Sequence, residues 1–334
     1  MPSATVVTLI LAPVLLFALW HVTAHSTPPV PGFLRNKRII LLIAHPDDES
    51  MFFSPTLQAL TDPALQNHLK ILCMSTGNSE GIGETRRQEL EKAAVTLGVR
   101  RREDVFVLDD ERFKDGMDQD WKPEEVARVL ASAFAPHLNT TQTSEEPQQD
   151  KEKDKRRSTG NKSKSSKQQQ QQDTQKQLPQ SQTTGPQASI DVLITFDKHG
   201  ISGHPNHKSL YHGATLFIKQ IMKGHSGYAC PVTLYTLPSI NILRKYGFVL
   251  DTIPTLLAGV YGTMFANVKG TRGAGTREGA DRVVFVNDLK RYWKAREAMT
   301  DGHQSQMVWF RWGWIALGRY MYVNDLRSEK VIPI

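Results

Sequence analysis

Cysteine is nearly absent from this chain of 334 residues, which has only Cys73 and Cys230. Two cysteines cannot build the disulfide framework of a small secreted domain, so the composition favours a reducing compartment. The chain also lacks a large charge excess, since 41 basic residues face 34 acidic ones and the net charge is +7. A positive net charge this small, with its basic residues spread along the chain, suits an anionic surface or substrate and argues against nucleic acid as a partner.

Charged residues are missing from the apolar run at residues 4–22 and from the positions before it. A run of this length can cross a bilayer as one helix. A cleaved secretory signal is the alternative, but it normally begins with basic residues. Basic residues follow the run instead, between positions 35 and 38, so the positive-inside bias predicts a single-pass anchor with the C-terminal body in the cytosol. Trp20 and His21 are then expected near the membrane interface.

Apolar residues are almost missing between residues 139 and 189, where Gln, Lys, Ser and Thr dominate. Such a segment cannot bury enough surface to offset the entropy of ordering, so we predict a disordered insert. It holds nine basic and six acidic residues, which leaves the rest of the chain at only +4. Glycosylation acceptors at Asn139 and Asn161 would report which side of a membrane it occupies. A glycine-rich stretch, residues 269–279, is expected to be a surface linker or a mobile lid.

Apolar runs alternate with helical patterns in the rest of the chain. Strands are expected at residues 38–43, 69–76, 104–108, 190–196 and 231–237, and helices at residues 84–97, about 123–138 and about 205–223. This alternation predicts one α/β domain with a mostly parallel sheet covered by helices on both faces. The domain is expected to span residues 38–138 and 190–334, with residues 1–37 as the anchor and its linker.

Two polar clusters follow strands of the predicted sheet. The first, from His45 to Glu49, comes directly after the strand at 38–43, and the second, from His204 to His207, comes after the strand that ends at Phe196. Ligands of open parallel sheets gather beyond the carboxyl ends of the strands, where the strand order reverses. If these two strands are neighbours at that point, the two clusters meet.

The residue types in these clusters suit a metal-dependent hydrolase. A catalytic zinc commonly takes three ligands from His, Asp and Glu and leaves a fourth position for water, whose pKa it lowers. His45, Asp48 and His207 fill the ligand role best. Asp47 is then expected as the general base. His204 is expected as a cationic hydrogen-bond donor to an oxyanion and a proton donor to the leaving amine.

Other interpretations exist for each cluster taken alone. Acidic residues also cap helices, and a His-x-x-His pair often binds no metal, but their joint occurrence after two strands favours the metal site. Glu49 is expected to orient a ligand or to lie in the first turn of a helix. A metal-dependent phosphoesterase generally needs more carboxylate ligands than we can assign in this chain. A catalytically silent membrane scaffold would have no need to retain both clusters.

The clusters resemble the LmbE-like family of metal-dependent N-deacetylases, which carries an acidic motif after its first strand and a later His-x-x-His. Residues 303–311 and 319–324 resemble the eukaryotic branch of that family, which removes acetate from N-acetylglucosaminyl-phosphatidylinositol (GlcNAc-PI). Residues 243–246 and 196–204 also resemble it. The resemblance covers about residues 38–138 and 190–326 and leaves out the anchor and the insert.

The resemblance implies a Rossmann-like fold in which one divalent metal, zinc, is held by His45, Asp48 and His207, with Asp47 as the base. It implies removal of acetate from GlcNAc-PI during the biosynthesis of glycosylphosphatidylinositol (GPI) anchors. It further implies a location in the endoplasmic reticulum membrane, with the catalytic domain on the cytosolic side.

One residue departs from many bacterial relatives, which often have Asp at the position of Asn206. Any carboxylate partner of His204 must then come from elsewhere in the chain. Asp197 is our candidate for that partner.

Two further groups are candidates for contact with a lipid-linked substrate. Arg86 and Arg87 open a helix near the same end of the sheet, so one of them could bind the substrate phosphate, although a solvated helix face explains the pair equally well. An aromatic run could enter the headgroup region of the membrane or pack in the core. It consists of Trp309, Phe310, Trp312 and Trp314.

Overall fold

A computed structural model describes residues 4–78, 81–138, 185–258 and 281–332. The glycine-rich stretch and all but residues 185–189 of the predicted insert lie outside these residues. One sheet is built from β1 Arg38–Ile43, β2 His68–Cys73, β3 Val105–Val107, β4 Val192–Phe196, β5 Thr233–Leu237, β6 Arg282–Val286 and β7 Val323–Ser328. The helices are α1 Ala4–Ser26, α2 Asp48–Met51, α3 Ser54–Leu60, α4 Gly83–Thr96, α5 Pro123–Phe134, α6 Pro205–Met222, α7 Ile242–Lys245, α8 Leu289–Glu297 and α9 Trp309–Leu317.

The strand order in the sheet is β3-β2-β1-β4-β5-β7-β6. Strands β1 to β5 pair in parallel, whereas β7 is antiparallel to both of its neighbours. The order reverses between β1 and β4, which pair directly from Ile39 opposite Val192 to Leu41 opposite Ile194. The mostly parallel sheet and the adjacency of these two strands are therefore confirmed. The sequence did not indicate the antiparallel edge formed by β6 and β7.

Burial on both faces explains why the central strands are continuously apolar. Five of the six residues of β1 and all five of β4 are buried, as is usual for parallel strands that helices cover on both sides. Because crossovers between parallel strands are right-handed, the strand order places α3 and α4 on one face of the sheet and α6 on the other. Helix α5 packs on α6 so closely that a Cβ at Gly213 would lie 2.4 Å from Val126. The core therefore lies on both sides of the sheet.

Helix α1 is the one helix of the described residues that is long and apolar enough to cross a membrane, over Thr8–Ser26. Its last turns pack on the domain, where Trp20 is buried and its Nε1 donates to the Asn287 carbonyl at 2.7 Å. The Trp20 ring makes edge contacts with Tyr292 and Tyr322. Trp20 is therefore a core residue and not an interface residue as the sequence suggested, because the domain supplies both an apolar pocket and an acceptor for the indole N–H.

Candidate metal centre

The first cluster lies in the turn that follows β1. Asp48 Oδ2 accepts hydrogen bonds from the backbone N–H groups of Ala44 and His45, both at 2.9 Å, which ties the turn to the end of the strand. Asp47 has a φ of 139°, a conformation that residues other than glycine rarely adopt. Strained backbone of this kind is concentrated at functional sites. The turn directs the carboxylates of Asp47 and Asp48 into one cleft.

The second cluster opens α6, at the end of β4. His204 is the N-cap, and its Nδ1 accepts the Asn206 N–H at 3.3 Å. The His204 and His207 rings stack with centroids 4.8 Å apart, and His207 also stacks on Phe196 at 3.8 Å. The ring of His45 lies 4.9 Å from that of His204 and 5.7 Å from that of His207. The two clusters therefore meet, because β1 and β4 are neighbours.

Three buried side chains, those of His45, Asp48 and His207, have ligand atoms within 4.8 Å of one another. His207 Nε2 lies 3.2 Å from Asp48 Oδ1, yet neither ring nitrogen of His207 has a hydrogen-bond partner among the residues that the structure describes. A buried polar atom without a partner costs about 1–3 kcal/mol, so such atoms are rare. Two imidazoles and a carboxylate around one point are a usual ligand set for zinc, so these residues fit a bound cation.

The contacts of His45 suit a metal ligand whose second nitrogen is held in place. Its Nδ1 lies 4.0 Å from Asp48 Oδ2. Its Nε2 lies 2.9 Å from Asn206 Oδ1 and 3.1 Å from Asp115 Oδ1. A metal-binding histidine commonly donates its other N–H to an acceptor of this kind, which fixes the ring. Asn206 therefore has a role toward His45.

The charges at this centre follow from burial and from the close contacts. Burial raises the pKa of Asp48, but His207 and His45 outweigh it and leave that pKa below its ordinary value, so the carboxylate is anionic at neutral pH. Burial lowers the pKa of His45, but its hydrogen bond to Asp115 and the charge of Asp48 raise it above the ordinary value. A cation would therefore compete with a proton at His45.

His204 differs from the cationic donor that the sequence predicted. Burial, followed by repulsion from His207 and His45, lowers the pKa of His204 to about 4. The ring is therefore neutral at pH 7. Because Nδ1 accepts the helix N–H, the proton of the neutral ring is on Nε2. His204 can donate a hydrogen bond from that atom.

A second group could also hold a cation, since ligand atoms of His45, Asp115 and His204 lie within 4.8 Å of one another. It shares His45 with the first group but is less buried. His45 Nε2 already bonds to Asp115 and Asn206 there. The first group contains the unpartnered nitrogens of His207, so it fits a cation better.

Comparison with known proteins identifies the family of this chain. Residues 40–218 match the family described as PIG-L: GlcNAc-PI de-N-acetylase. The chain is 42% identical to the N-acetylglucosaminyl-phosphatidylinositol de-N-acetylase of Arthroderma benhamiae, over 98% of each chain. It is 32% identical to a probable N-acetylglucosaminyl-phosphatidylinositol de-N-acetylase of Schizosaccharomyces pombe, over 91% of this chain and 92% of that one. The chain belongs to this family.

As a member of the GlcNAc-PI de-N-acetylase family, the protein is an enzyme of the deacetylase type. Among solved structures it is similar to N,N'-diacetylchitobiose deacetylase from Pyrococcus horikoshii, with 13% identity and a TM-score of 0.42 over 88% of this chain and 84% of that one. A likeness this distant defines no site. The roles of individual residues therefore rest on the geometry of this chain.

The candidate centre lies in a cleft of about 530 Å³ whose wall includes Arg86. The guanidinium of Arg86 donates to the carbonyls of Gly77 and Pro46, at 2.8 and 3.0 Å, and Nη1 lies 3.5 Å from Asp115. Arg87 points to solvent and pairs with carboxylates of its own helix. Successive helix residues point about 100° apart, so only Arg86 reaches the cleft.

A third segment reaches the cleft from the C-terminal part of the chain. Arg311 Nη2 lies 2.5 Å from Asp47 Oδ2, and Arg311 Nη1 donates to Met51 Sδ at 3.2 Å. Arg86 Nη2 lies 3.9 Å from the same Asp47 oxygen. Two guanidinium groups therefore flank the carboxylate of Asp47.

Glu49 and Asp197 have structural partners outside the candidate ligand group. Glu49 is fully buried and its Oε1 lies 2.6 Å from His303 Nε2, while its Oε2 accepts the Asp47 N–H at 3.2 Å. It therefore supports the turn that carries the base candidate. Asp197 accepts hydrogen bonds from Ser239 N and Oγ, at 2.7 and 2.6 Å. The expected pairing of Asp197 with His204 is thus wrong, because β5 ends beside Asp197 and the backbone and hydroxyl of Ser239 bind its carboxylate.

The aromatic run is divided between the two predicted roles. Trp314 is buried and stacks on Tyr320, so it belongs to the core. Trp309 is 85% exposed, and Phe310 and Trp312 are also exposed. Three of the four aromatic side chains therefore remain on the surface of α9.

Sequence reasoning missed Asp115, Arg311 and His303. Asp115 lies in an acidic loop soon after β3, so its position beyond a third parallel strand was a signal that could have found it. Arg311 and His303 lie in the segment whose resemblance to the family was noted, but nothing in their spacing indicates contact with the first cluster.

Proposed function

We propose that this enzyme hydrolyses the N-acetyl group of N-acetylglucosaminyl-phosphatidylinositol, giving glucosaminyl-phosphatidylinositol and acetate, in GPI-anchor biosynthesis. The relatives named above act on that substrate by name, and the family is that of GlcNAc-PI de-N-acetylases. The observation that carries the proposal is the unpartnered, buried His207 beside Asp48 and His45 on the wall of an open cleft. An amide hydrolase needs such a centre, whereas a scaffold does not.

His45, Asp48 and His207 would hold one divalent metal, and the mixed imidazole and carboxylate donors suit zinc. Bound zinc supplies Lewis acidity toward the amide carbonyl and lowers the pKa of water. Asn206 and Asp115 orient His45 through its Nε2. The backbone N–H groups at the end of β1 hold the second oxygen of Asp48.

Asp47 is the general base, which takes a proton from the attacking water and returns it to the leaving nitrogen. Arg311 holds its carboxylate at 2.5 Å, and Glu49 holds its backbone N–H, so the base is oriented from two sides. His204 donates a hydrogen bond from Nε2 to the oxyanion that forms at the amide carbonyl. Arg86 is the better candidate for the substrate phosphate, since Arg87 lies away from the cleft.

The cellular setting is the endoplasmic reticulum membrane, with α1 as a single span and the catalytic domain in the cytosol. Helix α1 supports the anchor by its length and composition, and basic residues follow it. The catalytic domain comprises residues 38–138 and 190–334, with the insert at 139–189 between its two parts. A cytosolic domain carries no glycans, so the mass of the cellular protein should not change on treatment with a glycosidase. Glycans at Asn139 or Asn161 would contradict this orientation.

The decisive experiment supplies GlcNAc-PI to the purified full chain with and without a chelator. We expect release of acetate and appearance of a free amine, loss of both in chelator, and recovery when zinc is added back. Cleavage of the phosphodiester without acetate would instead indicate a phosphoesterase. Acetate release that a chelator leaves unchanged would contradict the metal centre.

A further inference from the structure

An apolar surface lies beside the mouth of the cleft, on α8 and α9. We call it the apolar rim. Trp309 is its most exposed member, and none of its side chains is buried by the rest of the described chain. Its members are Leu289, Trp293, Trp309, Phe310 and Trp312.

The apolar rim is continuous with the point at which α1 leaves the domain. Phe17, the last large exposed apolar residue of α1 before the docked Trp20, shares a crevice with Leu289 at the start of α8. One turn further along α8 is Trp293. The guanidinium of Arg296 lies 5.3 Å from the Trp293 ring and 5.6 Å from the Trp312 ring, so it links α8 to α9.

The other end of the apolar rim reaches the candidate centre. Phe310 lines the cleft together with Val308 and Arg311, and Arg311 pairs with Asp47. Exposed apolar side chains of α8 and α9 therefore extend from α1 to the cleft that contains the base candidate.

Basic residues of α8 lie beside its two members of the apolar rim and favour an anionic lipid surface. Helix α8 has four basic residues and one acidic residue. Tryptophan beside Lys and Arg is the side-chain combination that favours the headgroup region of a bilayer. The basic residues are Lys290, Arg291, Lys294 and Arg296.

The packing of α1 on the domain favours a membrane over another protein as the partner that covers the apolar rim. Trp20 fixes the C-terminal part of α1 to the domain through Asn287 and two tyrosine rings, so the exposed part of α1 leaves the domain at Phe17, beside Leu289. The bilayer is therefore already adjacent to the first residue of the rim. A protein partner would have to displace lipid from that position.

We propose that the apolar rim inserts into the headgroup region of the membrane that α1 crosses, so that the cleft opens onto the bilayer. The sugar of a lipid substrate then reaches the candidate centre while its acyl chains stay in the bilayer. The membrane contact rests on the proposed span of α1 and is independent of the substrate, whereas the effect on turnover also rests on the proposed hydrolysis of GlcNAc-PI.

The direct test is tryptophan quenching by brominated phosphatidylcholine, with the full chain in nanodiscs. We expect the double variant Trp309→Phe, Trp312→Phe to lose at least half of the quenched fluorescence of the wild type. A matched control adds Phe106→Trp to that variant, because Phe106 is exposed on β3 at the opposite edge of the sheet and its replacement should not be quenched. An unchanged quenched fraction, or equal quenching of the new tryptophan, would overturn the proposal.

A comparison of activity on two substrates distinguishes loss of the membrane contact at the apolar rim from damage to the cleft. The double variant Trp309→Ser, Trp312→Ser should lose about fivefold or more in kcat/KM on GlcNAc-PI in bilayers and keep its activity on the same headgroup without acyl chains. Equal losses on both substrates would indicate damage to the cleft and contradict the rim. If the wild type hydrolyses neither substrate, the proposed function fails, and quenching still decides the membrane contact. A dimer in nanodiscs whose rim tryptophans are unquenched would show that a second copy covers this surface.

Discussion

Two buried histidine–carboxylate groups lie next to each other in this enzyme, and their hydrogen bonding differs. At His303 both ring nitrogens are satisfied, since Nε2 lies 2.6 Å from Glu49 Oε1 and Nδ1 lies 3.0 Å from Gln306 Nε2. At His207 neither nitrogen has a partner within the described part of the chain, although Asp48 is 3.2 Å away. The two carboxylates are adjacent in sequence, so local composition does not explain the difference.

The difference separates a structural pair from a ligand group. A fully hydrogen-bonded pair is complete without any further atom, whereas a bound cation would supply the partner that the His207 imidazole lacks. Glu49 and His303 therefore hold the turn, and Asp48 and His207 remain available to a metal. The first two variants below each remove one of the two histidines, and the other two change residues outside the two pairs.

The largest effect is expected for His207→Ala. Removal of one of three ligands should abolish metal binding and lower acetate release by about a thousandfold or more. Stability of the metal-free chain should fall less than in His303→Ala below, because Asp48 keeps the backbone N–H groups of Ala44 and His45 after His207 is removed. Metal analysis and acetate release measure both effects, with His212→Ala, exposed on the same helix, as the control. Full metal occupancy in His207→Ala would show that this ligand is wrong.

His303→Ala should have the opposite pattern. It leaves Glu49 buried without its partner, so the free energy of unfolding should fall by about 3–5 kcal/mol while the folded fraction still binds metal. Denaturant unfolding and metal analysis test this, with the exposed neighbour variant Gln304→Ala as the reference. A loss below about 1 kcal/mol would remove the distinction between the two groups.

Asp47→Asn tests the base that lies between the two groups. The amide keeps the shape of the side chain but cannot accept a proton, so kcat should fall by about a hundredfold or more with metal content unchanged. The exposed Asp118→Asn is the matched control. A wild-type kcat in Asp47→Asn would exclude Asp47 as the base.

The smallest effect is expected at an ion pair that water screens. Hydrogen bonds from Arg38 lower the pKa of Asp191, so this pair stabilises the fold above the unfolded pKa of about 3.9, and its contribution is lost as the pH falls through the folded value. Asp191→Asn should cost about 1 kcal/mol at most at pH 7, and less at pH 3. Unfolding free energies at both pH values measure this. A larger cost at pH 3 would contradict the assignment.

The metal group could be predicted from the sequence because topology alone brings its members together. His45 and Asp48 follow β1, His207 follows β4, and the carboxyl ends of adjacent parallel strands share one edge of the sheet. No such rule applies to His303 or Arg311. Their segment reaches the first cluster by side-chain packing, and β7 lacks the apolar–polar alternation that is typical of a half-buried antiparallel strand.

The orientation of single side chains also could not be predicted. Arg86 and Arg87 are equivalent in the sequence, and only the rotation of α4 shows which of them faces the cleft. The sequence suggested Asp197 as the carboxylate partner of His204, but the carboxylate of Asp197 binds Ser239, which follows β5. Such choices depend on neighbours that are distant in the chain.

Anomalous diffraction at the zinc edge, from crystals grown with zinc, tests the central claim most directly. The account predicts one peak per chain, about 2.0–2.2 Å from side-chain atoms of His45, Asp48 and His207. A peak on Asp115 and His204, or no peak at His207, would contradict it.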